Sequence, residues 1–306
     1  MVFKRARTLS VSWVMVCAVG CSLPLPAEPS AKADAAAPGP AVSQARSPRA
    51  QLTVLTWNLD WFQDPSEGPS DDDAQYAAVR DVLRQHAATL MALQEVASEA
   101  AFERLLQDLP SYAGALSGYE WKQRTALLWD RARFELACAH AVSGFSDAGR
   151  PPLELLLHDK HDDTQLLVVV IHAKAQSDAR SYQERQQLAS ALADYLAAEH
   201  PALPTIVLGD FNDELKGSIT AGQDTPYLPF TEDPRYATPT LLLNHGVAGE
   251  ASYATGSTLD HIVLSRELGA RVQAGSVNVL RDELLADEPS FTTRVSDHFP
   301  VILTIE

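Results

Sequence analysis

The sequence is poor in cysteine, poor in positive charge and free of any apolar run long enough to cross a bilayer, and each shortage removes a class of protein. Three cysteines occur in 306 residues, Cys17, Cys21 and Cys138. From Gln51 onward only Cys138 remains, so that stretch cannot close a disulfide within itself, and Cys138 reads as a small buried apolar residue in a strand. Lys and Arg number 24 against 40 Asp and Glu, a formal charge of −16. Proteins that coat nucleic acid grip the phosphate backbone with Lys and Arg, so this balance argues against a long basic groove. It leaves room for an enzyme acting on phosphodiesters, because a metal ion can supply the positive charge locally. The sequence has no HExxH and no Cys/His cluster, which disfavours a zinc site. It also has no GxxxxGK[ST] and no GxSxG, which disfavours a P-loop and a serine hydrolase. No internal repeat and no mid-chain linker divides it.

The N-terminus carries a different signal. Lys4, Arg5 and Arg7 precede a short apolar run, Val11 to Val19, which is too short to span a membrane. Ala18-Val19-Gly20-Cys21 follows, with the layout of a signal peptide. It resembles a bacterial lipobox, with Ala18 where leucine is usual, and this implies lipidation of Cys21 as the mature N-terminus. An ordinary cleaved signal, cut nearby or after Ala27, is the alternative reading. Residues 21–50 are rich in Ala, Pro and Ser and cannot build a core, so they are expected to form a tether. The expected organisation is therefore a lipoprotein-type signal peptide over 1–20, a tether over 21–50 and one catalytic domain over 51–306. The expected location is outside the cytoplasm, lipid-anchored in the cell envelope or secreted.

Within the domain, hydrophobic spacing predicts strands at Gln51 to Trp57, Thr89 to Leu93, Leu153 to His158, Leu166 to His172, Thr205 to Leu208, Leu259 to Leu264, Arg271 to Leu280 and Val301 to Ile305. Ala126 to Trp129 and Phe134 to Val142 read as a further pair. Helices are expected after the Asp71 to Asp73 cap, over Ala100 to Leu109 and over Tyr182 to His200. The 46% hydrophobic content supplies a sizeable core, and mixed α and β layers with more strands than helices are the simplest account.

Polar residues fall repeatedly at strand ends, where sites form in layered α/β proteins. Asn58 follows TVLTW, Glu95 follows MALQ, His172 ends LLVVVIH and Asp210 to Asp213 follow TIVLG. Asp260 opens a strand, and Asp297 and His298 precede another. Glu95, Asp210, Asp297, Asn58 and Asn212 offer the hard oxygens that magnesium, manganese and calcium prefer. His172 and His298 can exchange protons near neutral pH.

The ordered set TWNL, LQEV, IHAKAQ, GDFND, LDHIVLS and SDHFPV closely resembles the endonuclease/exonuclease/phosphatase superfamily, over residues 51–306. The resemblance implies a four-layer α/β sandwich, two mixed β-sheets packed face to face with helices outside. It implies a Mg2+ site, with Mn2+ or Ca2+ possible, built from Glu95 with Asn58 and Asp297. It implies catalytic roles for His298 beside the scissile phosphate, Asp260 orienting that histidine, Asp210 on the attacking water and Asn212 on the phosphate oxygens. His172 resembles the second histidine of the pancreatic-type deoxyribonuclease branch, which points away from abasic-site repair. The chemistry is coherent on its own terms: phosphodiester hydrolysis builds negative charge that a divalent ion would neutralise, and an Asp-His pair fixes an imidazole tautomer.

Arg124, Lys174 and Arg185 are candidate contacts to substrate phosphate; a solvated charge or a structural ion pair is the competing reading of each. The expected substrate is nucleic acid or another phosphoester, handled by a monomer, with an exported nuclease as first choice. A phosphatase or a phospholipid or sphingomyelin phosphodiesterase is the alternative, and a catalytically inactive binding lipoprotein is the alternative of another class.

Overall fold

The structure, a computed structural model, describes residues 13–16, 51–118, 122–145, 150–243 and 250–306. Apart from 13–16, the expected signal peptide and tether, with Cys21, lie outside the described residues. Trp13–Val16 (β1) runs as a parallel strand beside Tyr112–Ser117 (β4).

Among the described residues thirteen strands form two mixed sheets. The first takes the order β1, β4, Arg124–Asp130 (β5), Leu90–Val96 (β3), Leu52–Phe62 (β2), Val301–Ile305 (β13) and Asn278–Val279 (β12). The second runs Tyr236–Ala237 (β10), Asp260–Ser265 (β11), Thr205–Asp210 (β9), Thr164–His172 (β8), Leu153–Asp159 (β7) and Phe134–Ala141 (β6). The sheets pack face to face, with β2 and β3 against β8 and β9. Helices Asp72–His86 (α1) and Glu99–Asp108 (α2) cover the outer face of the first sheet; Ala179–Glu199 (α3) covers that of the second. This is the expected sandwich.

The side-chain alternation of a strand explains the layers. On β8, Leu166, Val168 and Val170 fill the core between the sheets, while Leu167, Val169 and Ile171 meet α3. Both faces are dry, so β8 reads as a continuous apolar run. Each main helix begins on a side-chain cap: Asp71 accepts from the Ala74 amide, Ser98 from Ala101, and Asp178 from Arg180 and Ser181.

Three local expectations are corrected, and one further strand appears. β5 and β6 do not pair; the turn between them carries the chain from one sheet to the other. Tyr112–Ser117 is a strand although Ala and Gly give it little β preference: Gly114 leaves room for α2, since a Cβ there would meet Phe102 Cζ at 2.9 Å. Of Arg271 to Leu280 only Asn278–Val279 is strand, because the segment turns at Gly275 in a left-handed conformation. Cys138, expected to be buried, is half-buried on edge strand β6.

Candidate active site

The same alternation that packs the core delivers the site. Val168 and Val170 on β8, Ile206 and Leu208 on β9, and Ile262 and Leu264 on β11 all face between the sheets. Two residues along each strand, the same face carries His172, Asp210 and Asp260. They are register partners, His172 opposite Asp210 and Asp210 opposite Asp260, so three adjacent strands set three polar side chains in a row. Gly209 makes the row possible: a Cβ there would collide with the Ile171 carbonyl, and its φ of +145° is one that L side chains rarely adopt.

The opposite sheet contributes through two irregular strands. β2 slips register between Asn58 and Phe62, and β3 between Leu93 and Val96. Asp60 (φ 51°), Trp61 (φ 52°) and Glu95 (φ 59°) adopt left-handed backbone at these slips. Such conformations cost roughly 1–3 kcal/mol each and persist where the surroundings enforce them. One enforcer is Gln75 of α1, fully buried, whose amide donates to the carbonyls of Leu59, Asp60 and Val295 at 2.9, 3.1 and 3.1 Å while its oxygen accepts from the Gln63 amide. Ser296 is another. Its hydroxyl donates to the Asn58 carbonyl at 2.7 Å and accepts from the His298 amide at 3.0 Å.

Asn58 spans the two sheets. Its Nδ2 donates to Glu95 Oε1 at 3.2 Å and to Asp210 Oδ2 at 3.0 Å, and its Oδ1 accepts from the Asp60 amide. The reversed amide would set an oxygen against two carboxylates, so this orientation stands. Asn58 is thus a brace, and its oxygen, which accepts one backbone hydrogen bond, keeps a second lone pair. Glu95 Oε2 accepts from the Trp61 amide at 3.0 Å.

The two histidines sit in opposite electrostatic environments. Burial alone would depress His298, but the carboxylates of Asp260 and Asp210 outweigh it and raise its pKa to about 10. Its Nδ1–H donates to Asp260 Oδ2 at 2.7 Å, and its Nε2 lies 4.0 Å from Asp210 Oδ2 and 3.9 Å from Asp297 Oδ1. His172 is held well below its ordinary value by burial, with Arg150 and His298 adding to the effect. Its Nε2 lies 3.4 Å from Asp210 and 3.5 Å from Glu95. Asp210 is pushed up to about 7, chiefly by burial, although His298 and the Asn58 hydrogen bond oppose the shift. Asn212 donates to Asp210 Oδ2 at 3.0 Å and to the Ala173 carbonyl at 3.1 Å, which aligns the loop after β9.

Asp60 is a site residue that the sequence reading passed over. Burial and, after it, the nearby charges of Asp297 and Glu95 together raise its carboxyl to about 7, with His298 opposing the shift. Three carboxylates crowded at one edge are a hard-oxygen donor set, and a divalent cation between them would relieve their repulsion. Asp60, Glu95 and Asp297 therefore fit such an ion. Among the described residues it is Asp210, Asp260 and His298 whose ligand atoms lie within 4.8 Å of one another, but a cationic imidazole bonded to a carboxylate has no lone pair to give. Tyr253 completes the edge, its ring 4.8 Å from that of His298 and its hydroxyl bonded to Asp297. The nearest sequence signal for Asp60 was its position two residues after Asn58; Gln75 and Ser296 gave none.

The candidate phosphate contacts divide. Lys174 is exposed just beyond His172, and Arg124 lies half-buried beside Val96 with one N–H on the Ala97 carbonyl. Arg185 is fully buried and corrected: it pairs with Asp213 at 2.8 Å and donates to the carbonyls of Lys174 and Gln176 and to Thr220 Oγ1. All its polar hydrogens with partners point inward, so it braces the loops after β8 and β9 and does not reach the cleft.

A family model described as "Endonuclease/Exonuclease/phosphatase family" matches residues 55–298. Among solved structures, D. rerio TDP2 complexed with single strand DNA product superposes with a TM-score of 0.60 at 15% identity, covering 84% of this chain and 99% of that one. The human Nocturnin catalytic domain with bound sulfate gives 0.60 at 19%, covering 84% and 94%. An endonuclease/exonuclease/phosphatase from Bacteroides vulgatus gives 0.61 at 16%, covering 84% and 99%. At these identities the likeness is one of fold. No curated protein matches by sequence.

Proposed function

The chain belongs to the endonuclease/exonuclease/phosphatase family of phosphoester hydrolases, and from that premise we propose that it is a divalent-metal-dependent phosphodiesterase, an exported nuclease, in which Asp210 activates water and cationic His298 stabilises the phosphate. The observation that carries this reading is the pairing of charge states across 4.0 Å: a carboxyl with a pKa of about 7 faces an imidazolium with a pKa of about 10. A base poised near neutrality beside a fixed cation is what attack on an anionic phosphoester requires.

Asp60, Glu95 and Asp297 would hold the ion. When bound, it supplies positive charge to the phosphate oxygens and the leaving oxygen. The chain's own residues do the rest. Asp260 holds His298 in one tautomer and keeps it charged, so Nε2–H donates to a nonbridging oxygen. Asp210 accepts the proton of the attacking water. Asn58 and Asn212 hold the Asp210 carboxylate in place. His172, held neutral, lies against both Glu95 and Asp210 and adds no charge beside the base, and the leaving oxygen takes its proton from solvent. Arg124 and Lys174, at the edge of the cleft, meet flanking phosphates.

Nucleic acid is favoured over other phosphoesters because a TDP2 of the same fold is described with a single strand DNA product. Export and lipid anchoring through Cys21 rest on the N-terminal sequence. The test is turnover of plasmid DNA, RNA, a synthetic phosphodiester and a phosphomonoester by the full chain, with Mg2+ or Mn2+ and with chelator. Metal-dependent cleavage of DNA or RNA, nearly abolished in Glu95→Ala and His298→Ala, is the expected result. Turnover of only the monoester would make it a phosphatase, and no turnover by a folded chain would favour a binding protein. Loss of labelled fatty-acid incorporation in Cys21→Ala tests the anchor.

A further inference from the structure

Trp61, near the end of β2, is a large aromatic residue without a place in the core. It is half-buried and packs against neither of the two apolar cores. Among the described residues its indole makes no hydrogen bond and no ring or cation contact. Its backbone, by contrast, is held from two sides. The amide donates to Glu95 Oε2 at 3.0 Å, and the carbonyl accepts from the Asp64 amide at 2.8 Å. Gly68 closes against it, since a Cβ there would come within 3.0 Å of Trp61 Cβ. At φ 52° the chain bears a bulky side chain in a conformation that Gly or Asn adopts with less strain. The strained position thus carries a ring that serves no packing, and it starts beside a carboxylate of the proposed ion site.

Little around the cleft is free to grip phosphates. Lys122 pairs with Asp64 at 2.6 Å, Arg150 donates to the carbonyls of His172 and Ala173 and to Gln123, and Arg185 is buried on Asp213. Arg124 and Lys174 are left, on a chain of formal charge −16. Affinity for a nucleic acid then has to come from a source other than charge, and base–aromatic stacking is one. A stack on a rim indole needs a base with a free face. Bases in a single strand offer one, whereas those of a duplex are already stacked on their neighbours.

We infer that Trp61 is a stacking platform for an unpaired nucleobase next to the phosphate held in the cleft, which makes single-stranded nucleic acid the substrate class. The inference rests on the nuclease reading of the same site. The indole selects the strand, while the Trp61 amide positions Glu95.

Binding of the full chain to a labelled, phosphorothioate-linked single strand would be followed by fluorescence anisotropy in Mg2+, against the duplex of the same sequence and an abasic strand of equal length, with Trp61→Ala and Trp61→Phe in parallel. The single strand should bind wild type at least about tenfold more tightly than either comparison, a preference that Trp61→Ala loses and Trp61→Phe largely keeps. With two phosphate contacts to a single strand, the logarithm of the affinity should fall with the logarithm of salt at a slope of only about −1.4. In turnover of an ordinary single strand, Trp61→Ala should raise KM by the factor lost in binding and change kcat less. A preference unchanged in Trp61→Ala, equal affinity for duplex and single strand, a salt slope several times steeper, or no binding at all overturns the inference. Base-dependent binding through Trp61 without turnover supports it and removes the nuclease reading instead. If Trp61→Ala fails to fold by circular dichroism, Trp61→Leu, apolar but without a ring, decides in its place.

Discussion

His298 donates from Nδ1 to Asp260 Oδ2 at 2.7 Å, and this one bond joins the start of β11 to the segment that leads into the last strand. It also fixes the charge of the imidazole that faces Asp210. Replacing Asp260 with Asn keeps the shape and removes that charge support.

We therefore expect Asp260→Asn to lower kcat by about 10²–10⁴-fold. In the metal-free protein, the His298 imidazole of wild type should titrate near pH 10 by NMR and that of the variant well below it. The stability consequence has a definite sign. A folded-state pKa raised above the unfolded value of 6.5 stabilises fully below pH 6.5 and is lost as pH rises through about 10. Urea midpoints of wild type should fall across that window and those of Asp260→Asn should not fall as far.

Asp60 gives a second pH window. Its carboxyl is raised from 3.8 to about 7, so in metal-free protein its contribution is present below pH 3.8 and lost by pH 7. A divalent ion binds the deprotonated form. Mg2+ or Mn2+ should therefore raise the melting temperature strongly at pH 7 and weakly at pH 5. At a hundredfold excess over Kd the gain is about 2.7 kcal/mol. The increment should vanish in Glu95→Gln; an equal increment at both pH values would remove Asp60 from the site.

Gly209→Ala places a methyl group against the Ile171 carbonyl, between the strands that carry His172 and Asp210. Overpacking of this kind costs about 1–3 kcal/mol, and the positive φ adds to it. A lower urea midpoint together with a fall in kcat is expected, because the strand can relieve the clash only by moving Asp210.

Arg185→Ala should behave as a folding variant. Removing one partner of a buried ion pair costs about 3–5 kcal/mol and leaves Asp213 unpaired. Soluble yield and melting temperature should drop, while KM of the folded fraction stays near wild type. A raised KM with normal stability would return Arg185 to the cleft.

Arg185 also shows what a sequence conceals. An arginine on a helix with polar neighbours has the pattern of a solvated charge, and only the tertiary placement of Asp213 reveals a fully buried pair. Asp210, Asp260 and His172 were legible because each is polar at the end of an apolar strand, where a side chain must leave the core. Asp60 was harder to read, since it lies inside β2 and reaches the cleft only through a register slip. Gln75 was invisible: a glutamine on α1 looks like a solvent-facing residue, and its three carbonyl partners lie on β2 and on the distant segment before β13. The sandwich was readable from strand spacing and family motifs, but the crossing from β5 to β6 was not, because a tight turn between two apolar strands has the same local chemistry whether it closes a hairpin or bridges two sheets.

β13 lies beside β2 in the first sheet, and Asp297 and His298 immediately precede it, some 240 positions after Asn58. The candidate site is thus completed by a segment far along the chain from Asn58. A nascent chain bearing Asn58, Glu95 and Asp210 lacks the His298 imidazole and one of the three carboxylates until this segment has been made. The site is therefore complete only once β13 has paired with β2, so its assembly reports the closure of the first sheet.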